Sequence, residues 1–347
     1  MWLITLRDLQ WRKRRFAFGV VGTALVFAVT LLLAGLSASI RAEAGRTVEA
    51  AGATTWLVGN GVSGPFSGIS ALRETEAARA AGEKGVKAAD PVVVTYQTVQ
   101  RDKPKDITLF GYALGGLGAP PLREGRAPDA DGEAVVDKSL GVKLGERFRV
   151  GAQEFTAVGR SKSMTLRGGI PNVYVPLEDA QKLVFEGRPL VTAVLVSGAR
   201  PNLSGLTSLS ADDVRQDVLR PFKQALSAID VLQVLLWLVA VAIVGTLIYL
   251  SVLERLGDFA VLKAIGTSSQ SLFISLTIQA MTTAVVSAAA AIALAYLLAP
   301  SFPLPIVLQA SRVALLPFIA LAVGMLASTV GLRRAVRVDP ALAFGSV

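Results

Sequence analysis

"SVLERLGDFAVLKAIGTSSQSLF", residues 251–273, decides how the rest of the chain is read. It carries four charges, Glu254, Arg255, Asp258 and Lys263, between two long apolar runs. The chain leaves one apolar run, makes a short amphipathic excursion and enters the next almost at once. Gly257 and Gly266 bracket about two helical turns, and Gly266 suits the position just past a helix end. Thr267 with Gln270 three residues later gives a capping-box pattern for the following helix. On a helical wheel Glu254, Arg255 and Asp258 share one arc, while Leu256, Phe259 and Ala260 lie opposite beside Lys263. Two readings stay open from the residues alone: a tight turn resting on lipid headgroups, or a docking helix for a partner protein.

Working outward, the chain has 347 residues, of which 52% are hydrophobic, and a mean hydropathy of +0.53. Such values point to a membrane protein. A bilayer span takes about 20 mostly apolar residues, and four charge-free stretches qualify, at 16–40, 231–253, 268–299 and 313–332. The first follows a basic segment, but its apolar run is too long for the core of a cleaved signal peptide, about 7–15 residues.

Net charge is +9, and its placement speaks for topology rather than nucleic acid. Arg7, Arg12, Lys13, Arg14 and Arg15 precede the first run; Arg333, Arg334 and Arg337 follow the last; residues 41–230 are nearly balanced. The positive-inside rule therefore predicts cytoplasmic termini. The expected layout is a cytoplasmic N-terminus at 1–15, a first span at 16–40, and an extracytoplasmic α+β domain at 41–230. A second span at 231–253, a cytoplasmic segment at 254–267 and a third span at 268–299 follow. An outer loop at 300–312, a fourth span at 313–332 and a cytoplasmic tail at 333–347 complete it.

Within 41–230, "RAEAGRTVEAAGA" (41–53) reads as the first helix rising out of the bilayer. "TTWLVGNG", "PVVVTYQTVQ", "KDITLFGYAL" and "LVTAVLVSG" read as strands, and "LRETEAARAAGEKG" as a helix. Residues 133–160 contain a helix near Lys138–Lys143, then two strands joined by the turn Gly151-Ala152-Gln153. "NVYVPLEDAQKLVF" reads as strand then helix, and "SADDVRQDVLRPFKQALSAID" as a polar helix running into the second span.

The chain has no cysteine and no histidine, which excludes disulfides, Ser-His and Cys-His catalysis and His-based zinc sites. The pairs Asp129/Asp131 and Asp212/Asp213 are the only acidic material for hydrolysis, and both sit where carboxylates commonly close turns or cap helices. Mid-span charge is absent, so no ion or proton relay is indicated. Gly19, Gly22, Gly245, Gly324, Ser328 and Gly331 are candidates for close helix packing. Ser271, Ser275, Gln279, Thr282, Thr283 and Ser287 point to interhelical hydrogen bonds or a substrate path.

"ERLGDFAVLKAIGTSSQSLF" resembles the loop after the second span of MacB/FtsX-type permeases of ABC transporters. The match rests on Glu254-Arg255, Asp258 and the run Ala260-Val261-Leu262-Lys263-Ala264-Ile265-Gly266. "GLRRAVRVDPALAF" (331–344) resembles that family's basic Asp-Pro-Ala ending. "LREGRAPDADGEAVVDKSLGVKLGERFRVGAQEFTAVGR" (122–160) and "VYVPLEDAQKL" (173–183) resemble its ectodomain pattern. No Gly-x-x-x-x-Gly-Lys-Ser/Thr motif occurs, so the resemblance implies a separate ATPase polypeptide, which binds the ATP and magnesium.

The resemblance also implies a homodimer of permeases with two copies of the ATPase, in a bacterial plasma membrane. Glu254, Arg255, Asp258, Phe259, Leu262, Lys263 and Gly266 would form a coupling helix seated in the ATPase. Phe259 and Leu262 would be its anchors, Arg255, Asp258 and Lys263 would set register, and Arg333 and Arg334 are candidate further contacts. Its expected work is export of a hydrophobic or amphipathic compound such as a lipid, peptide, drug or haem. The alternative is a complex that uses ATP to regulate an extracytoplasmic partner without moving substrate.

Overall fold

The computed structural model of the chain describes residues 13–68, 70–101, 103–254, 257, 261, 265, 268–302 and 306–336. The chain divides into two compact units, residues 1–38 with 225–347, and residues 39–224.

The first unit is helical. α1 (Lys13–Ala50) begins in it and runs on into the second unit. Elements of the second unit follow in the chain before the other membrane helices return. They are β1 (Thr55–Gly59), β2 (Leu72–Arg73), α2 (Thr75–Ala81), β3 (Val86–Gln100), β4 (Lys105–Tyr112), β5 (Glu124–Gly125) and β6 (Glu133–Asp137). Next come β7 (Arg147–Val150), β8 (Gln153–Ser161), β9 (Thr165–Leu166), β10 (Ile170–Pro176), α3 (Leu177–Phe185), β11 (Leu190–Val191), β12 (Ala193–Gly198), β13 (Leu206–Ser210) and α4 (Ala211–Leu219). A single 3₁₀ turn at Arg220–Phe222, carrying Pro221, joins α4 to α5 (Lys223–Leu253). α6 (Ser269–Leu298) and α7 (Ala310–Val336) complete the helical unit.

Among the described residues, four helical stretches are long and apolar enough to cross a membrane, over Phe16–Ala50, Ala211–Leu253, Ile274–Ser301 and Ala310–Thr329. They pack through small side chains. On α6, Ala280, Ala284, Ala288, Ala291 and Ala295 form a fully buried seam that meets Ala320, Val323 and Ala327 of α7. A Cβ added at Gly324 would lie 2.8 Å from the Met281 Cα, so the α6 and α7 backbones approach closely only because position 324 is glycine. Gly19 likewise faces Leu247, whereas among the described residues nothing lies within 4 Å of a Cβ at Gly22.

The span hydroxyls differ from expectation. Thr282, Thr283 and Ser287 donate to the carbonyls of Ile278, Gln279 and Thr283 in their own helix, each at 2.8 Å. Such back-bonding satisfies a hydroxyl in lipid without a second helix. The α6–α7 hydrogen bond runs instead from Thr277 to Ser328, at 3.2 Å. The cap of α6 also shifts by one residue: Ser268 is extended, and its hydroxyl accepts from the Ser271 amide at 3.2 Å.

In the second unit the strand order is β13-β1-β12-β3-β4-β10-β6-β8-β5. β7 pairs with both β8 and β3, so β3, β4, β10, β6, β8 and β7 close into a ring of six. Among the described residues, β4–β10 and β6–β8 are the parallel pairs. Strand side chains alternate between two cores. Val93, Ile107, Leu109, Val136, Phe155, Val173 and Val175 fill one, with Ala77, Ala80 and Ala180 from α2 and α3. The other takes Trp56, Val92, Val94, Phe110, Tyr112 and Tyr174 from the strands, Ala44 and Val48 from α1, Ala51 just past its end, and Val214 and Val218 from α4.

Several local expectations are corrected. The helix read over 72–85 is confined to Thr75–Ala81, with Leu72–Arg73 pairing β11. The helix read near Lys138–Lys143 is one 3₁₀ turn, Lys138–Leu140, ended by Gly141 at φ 81°. "LVTAVLVSG" is split at Thr192, whose hydroxyl accepts from the Val94 amide at 2.8 Å in place of a ladder bond.

Candidate functional site

Two covalent paths, α1 and the α4–α5 connection, join the spans to the strand-rich unit. Within that unit each helix is held by a buried carboxylate.

On α1, Ile40, Glu43, Ala44, Thr47 and Val48, with Ala51 just past its end, recur at helical spacing and are all buried. Glu43 lies on this stripe with 2% exposure. A buried carboxylate is costly unless hydrogen bonds replace its water. Glu43 accepts from the Thr165 hydroxyl at 2.8 Å and from the amides of Gly168 and Gly169 at 2.9 and 3.2 Å. The donors come from the segment between β8 and β10. Its backbone turns through the left-handed region at Arg167 (φ 53°) and Gly168 (φ 82°), which aims successive amides at one point. One turn further along α1, the Thr47 hydroxyl contacts the Thr165 carbonyl and accepts from the Asn172 amide nitrogen at 3.3 Å. Arg46 Nε donates to the Ser163 carbonyl at 3.2 Å.

On α4 the corresponding group is Asp217, 1% exposed. It accepts from the Phe66 amide at 2.8 Å, the Ser67 amide at 3.2 Å and, through a short contact, the Ser67 hydroxyl. The donor loop lies hard against the carboxylate: a Cβ at Gly64 would stand 2.1 Å from Asp217 Cγ. The start of α4 is fixed by a capping box, in which Ser210 and Asp213 exchange side-chain-to-backbone bonds. That pairing holds the Asp213 carboxyl below its usual range, chiefly through the Ser210 hydroxyl. Arg215 of α4 also reaches Glu49 of α1 at 3.0 Å, but with Glu49 68% exposed this pair contributes little.

The acidic pairs singled out from the sequence have structural partners. Asp129 pairs with Arg126 at 2.9 Å and Asp131 with Lys182 at 2.7 Å. Asp212 pairs with Arg215, and Asp213 caps α4. Among the described residues no group of three carboxylates is placed to hold a metal ion.

Of the expected coupling segment, Glu254 is described: its amide donates to the Leu250 carbonyl at 3.2 Å, one turn back in α5. Arg255, Asp258, Phe259, Leu262, Lys263, Gly266 and the expected cap Thr267 lie outside the described residues. Arg333 and Arg334 belong to the last turn of α7, with side chains outside the description.

Sequence reasoning missed Glu43 and Asp217. The signal for Glu43 was its place on the stripe 40, 43, 44, 47, 48, 51, where an acidic residue interrupts an otherwise small and apolar face. For Asp217 no comparable signal existed, because its donors lie about 150 positions away.

Residues 19–204 match the MacB-like periplasmic core domain and residues 231–340 the FtsX-like permease C-terminal family. An uncharacterized ABC transporter permease of Mycobacterium bovis is 41% identical over 347 residues, covering 99% of each chain, and one of Mycobacterium tuberculosis matches to the same extent. A second such permease of Mycobacterium tuberculosis is 39% identical over 348 residues, again with 99% of each chain covered. Among solved structures, the periplasmic region of MacB from Actinobacillus actinomycetemcomitans aligns at 15% identity and a TM-score of 0.36. It covers 48% of this chain and 92% of that one. The extracellular domain of the transporter YknZ from Gram-positive bacteria aligns at 18% identity and a TM-score of 0.33, covering 50% and 93%.

Proposed function

The chain belongs to the MacB/FtsX-type ABC transporter permeases, and from that premise we propose that it converts ATP hydrolysis on a partner subunit into movement of its strand-rich unit. As an ABC transporter permease it works with an ATPase, and its four apolar helices make it a multi-pass membrane protein. In our reading the strand-rich unit is extracytoplasmic, both termini are cytoplasmic, and the membrane is the bacterial plasma membrane. Two copies of the chain pair with two ATPase subunits. Residues 254–266 seat in the ATPase, with Phe259 and Leu262 buried and the charges of Arg255, Asp258 and Lys263 fixing orientation. ATP and magnesium act in the ATPase alone.

The observation that carries this reading is the pair of buried carboxylates. Here α1 continues without interruption from its apolar run to Glu43, and α4 holds Asp217 just before α5 begins. Helices fixed in this way in the strand-rich unit pass on rotation and translation, a rigid-body switch rather than a pore. The work so delivered is export of a hydrophobic or amphipathic compound.

The test is a comparison of drug-sensitivity and exported-compound profiles between a deletion strain and the strain complemented with the chain. Export predicts that the deletion strain retains or becomes sensitive to a set of apolar compounds and that complementation reverses this. A deletion with no such profile, but with loss of an extracytoplasmic activity, assigns the chain to regulation of an extracytoplasmic partner instead.

A further inference from the structure

The two anchors share an intermediary. Tyr96 of β3, opposite Thr108 of β4, donates its hydroxyl to the Phe66 carbonyl at 3.0 Å. The guanidinium of Arg167 lies over its ring, 3.9 Å from the centroid, within the range of a favourable cation–π contact. Phe66 is the residue whose amide binds Asp217, and Arg167 directly precedes Gly168, whose amide binds Glu43. An unbroken path thus runs from Glu43 through Gly168 and Arg167 to Tyr96, and on through Phe66 to Asp217. Each step is a covalent bond or a direct contact. Phe66 itself is held in a chain of aromatic contacts with Trp56, Phe110 and Tyr174, with centroids 5.1–6.0 Å apart. The two helices also enter one apolar core, through Ala44 and Val48 of α1 and Val214 and Val218 of α4, and Arg215 pairs with Glu49 at the solvent-exposed surface.

We propose that Tyr96 is a positioning residue that ties the α1 and α4 anchors to each other, so that the two helix ends move as one body. This rests on the mechanical reading above, and it adds a specific requirement. Without Tyr96 each anchor still holds its own loop, yet a displacement of one helix no longer reaches the loop bound to the other. Tyr96→Phe is the discriminating change. It keeps the ring under Arg167 and removes the bond to Phe66.

Amide hydrogen exchange on the full chain, in the absence of ATP and ATPase, tests the link directly. Glu43→Gln weakens the bonds to Gly168 and Gly169 and must speed exchange there in any case. If Tyr96 joins the anchors, the same variant also speeds exchange at Phe66 and Ser67 by about three-fold or more, as expected of groups in one network. In the Tyr96→Phe background the local effect persists and the remote one disappears. Asp217→Asn provides the reciprocal experiment, read at Gly168 and Gly169, should Glu43→Gln fold poorly. Remote exchange that is unmoved in the native background, or that survives Tyr96→Phe, overturns the proposal. Because no nucleotide is present, failure of ATP-driven movement would leave this result standing, and failure of the link would leave the ATP-driven reading to its own test.

Discussion

Thr165 donates its hydroxyl to Glu43 at 2.8 Å across 122 positions of the chain. The bond joins strand β9 to a helix that begins at Lys13 and runs through the apolar stretch from residue 16. It is buried, charge-assisted and accompanied by two backbone donors, the combination in which a carboxylate contributes most to local rigidity.

Glu43→Ala should therefore destabilise the strand-rich unit. It leaves the buried Thr165 hydroxyl without its acceptor, at a cost of about 1–3 kcal/mol, and removes the acceptor of the part-buried Gly168 and Gly169 amides. Thermal unfolding of the purified chain should show a lower midpoint for this unit, with insertion and the helical unit unaffected. Glu49→Ala, on the same helix but exposed, should leave the midpoint within error.

Alkaline pH should unfold the same unit. Burial pushes Tyr96 and Tyr112 from the ordinary 10.0 up to about 12, and pushes Tyr174 up as well. A raised folded-state pKa means that the protonated phenol is favoured in the fold. The associated stability is complete below pH 10 and lost as pH rises from 10 through 12. At the acid end, the hydrogen bond from Arg126 holds Glu133 at about 2 against an ordinary 4.5. That contribution is intact above pH 4.5 and lost as pH falls through 2. Unfolding curves collected across both windows should show a plateau between them; a decline beginning at pH 8 would contradict the tyrosine assignment.

Much of the architecture was legible because lipid imposes a simple demand. A span must be continuous and apolar, and four charge-free runs between Arg15 and Arg333 met that demand. Strand pairing imposes no such local rule. Leu206–Ser210 forms an edge strand on β1 although "LTSLS" has neither a wholly apolar face nor a turn signal. Strand β3 begins at Val86, before the apolar run, because "KAAD" is paired by β12. The anchors were hidden for the same reason. Apart from the Thr165 and Ser67 hydroxyls, the donors to Glu43 and Asp217 are backbone amides of distant segments, and an amide carries no residue identity to read.

The coupling segment gives a prediction at the other end of the path. If residues 254–266 dock in the ATPase, Phe259→Ala removes a buried aromatic contact, of order 2 kcal/mol or more at an interface hot spot. Affinity falls about ten-fold for each 1.4 kcal/mol. The variant should insert normally, unfold like the native chain and copurify with less ATPase. Asp258→Lys should act more weakly and mainly on salt dependence. Native copurification and native export in Phe259→Ala would return the segment to a turn resting on headgroups.

The central claim is that force reaches the strand-rich unit through its carboxylate anchors. The chain has no cysteine, so Lys103→Cys, at an exposed position beside β4, carries a unique spin label on each copy of a reconstituted permease–ATPase complex. The measurement is the distance between the two labels with and without ATP, alongside the rate of ATP hydrolysis. We expect ATP to shift that distance, and we expect Glu43→Ala combined with Asp217→Ala to abolish the shift while hydrolysis continues at the native rate. A double variant that shows the full native shift would contradict the account.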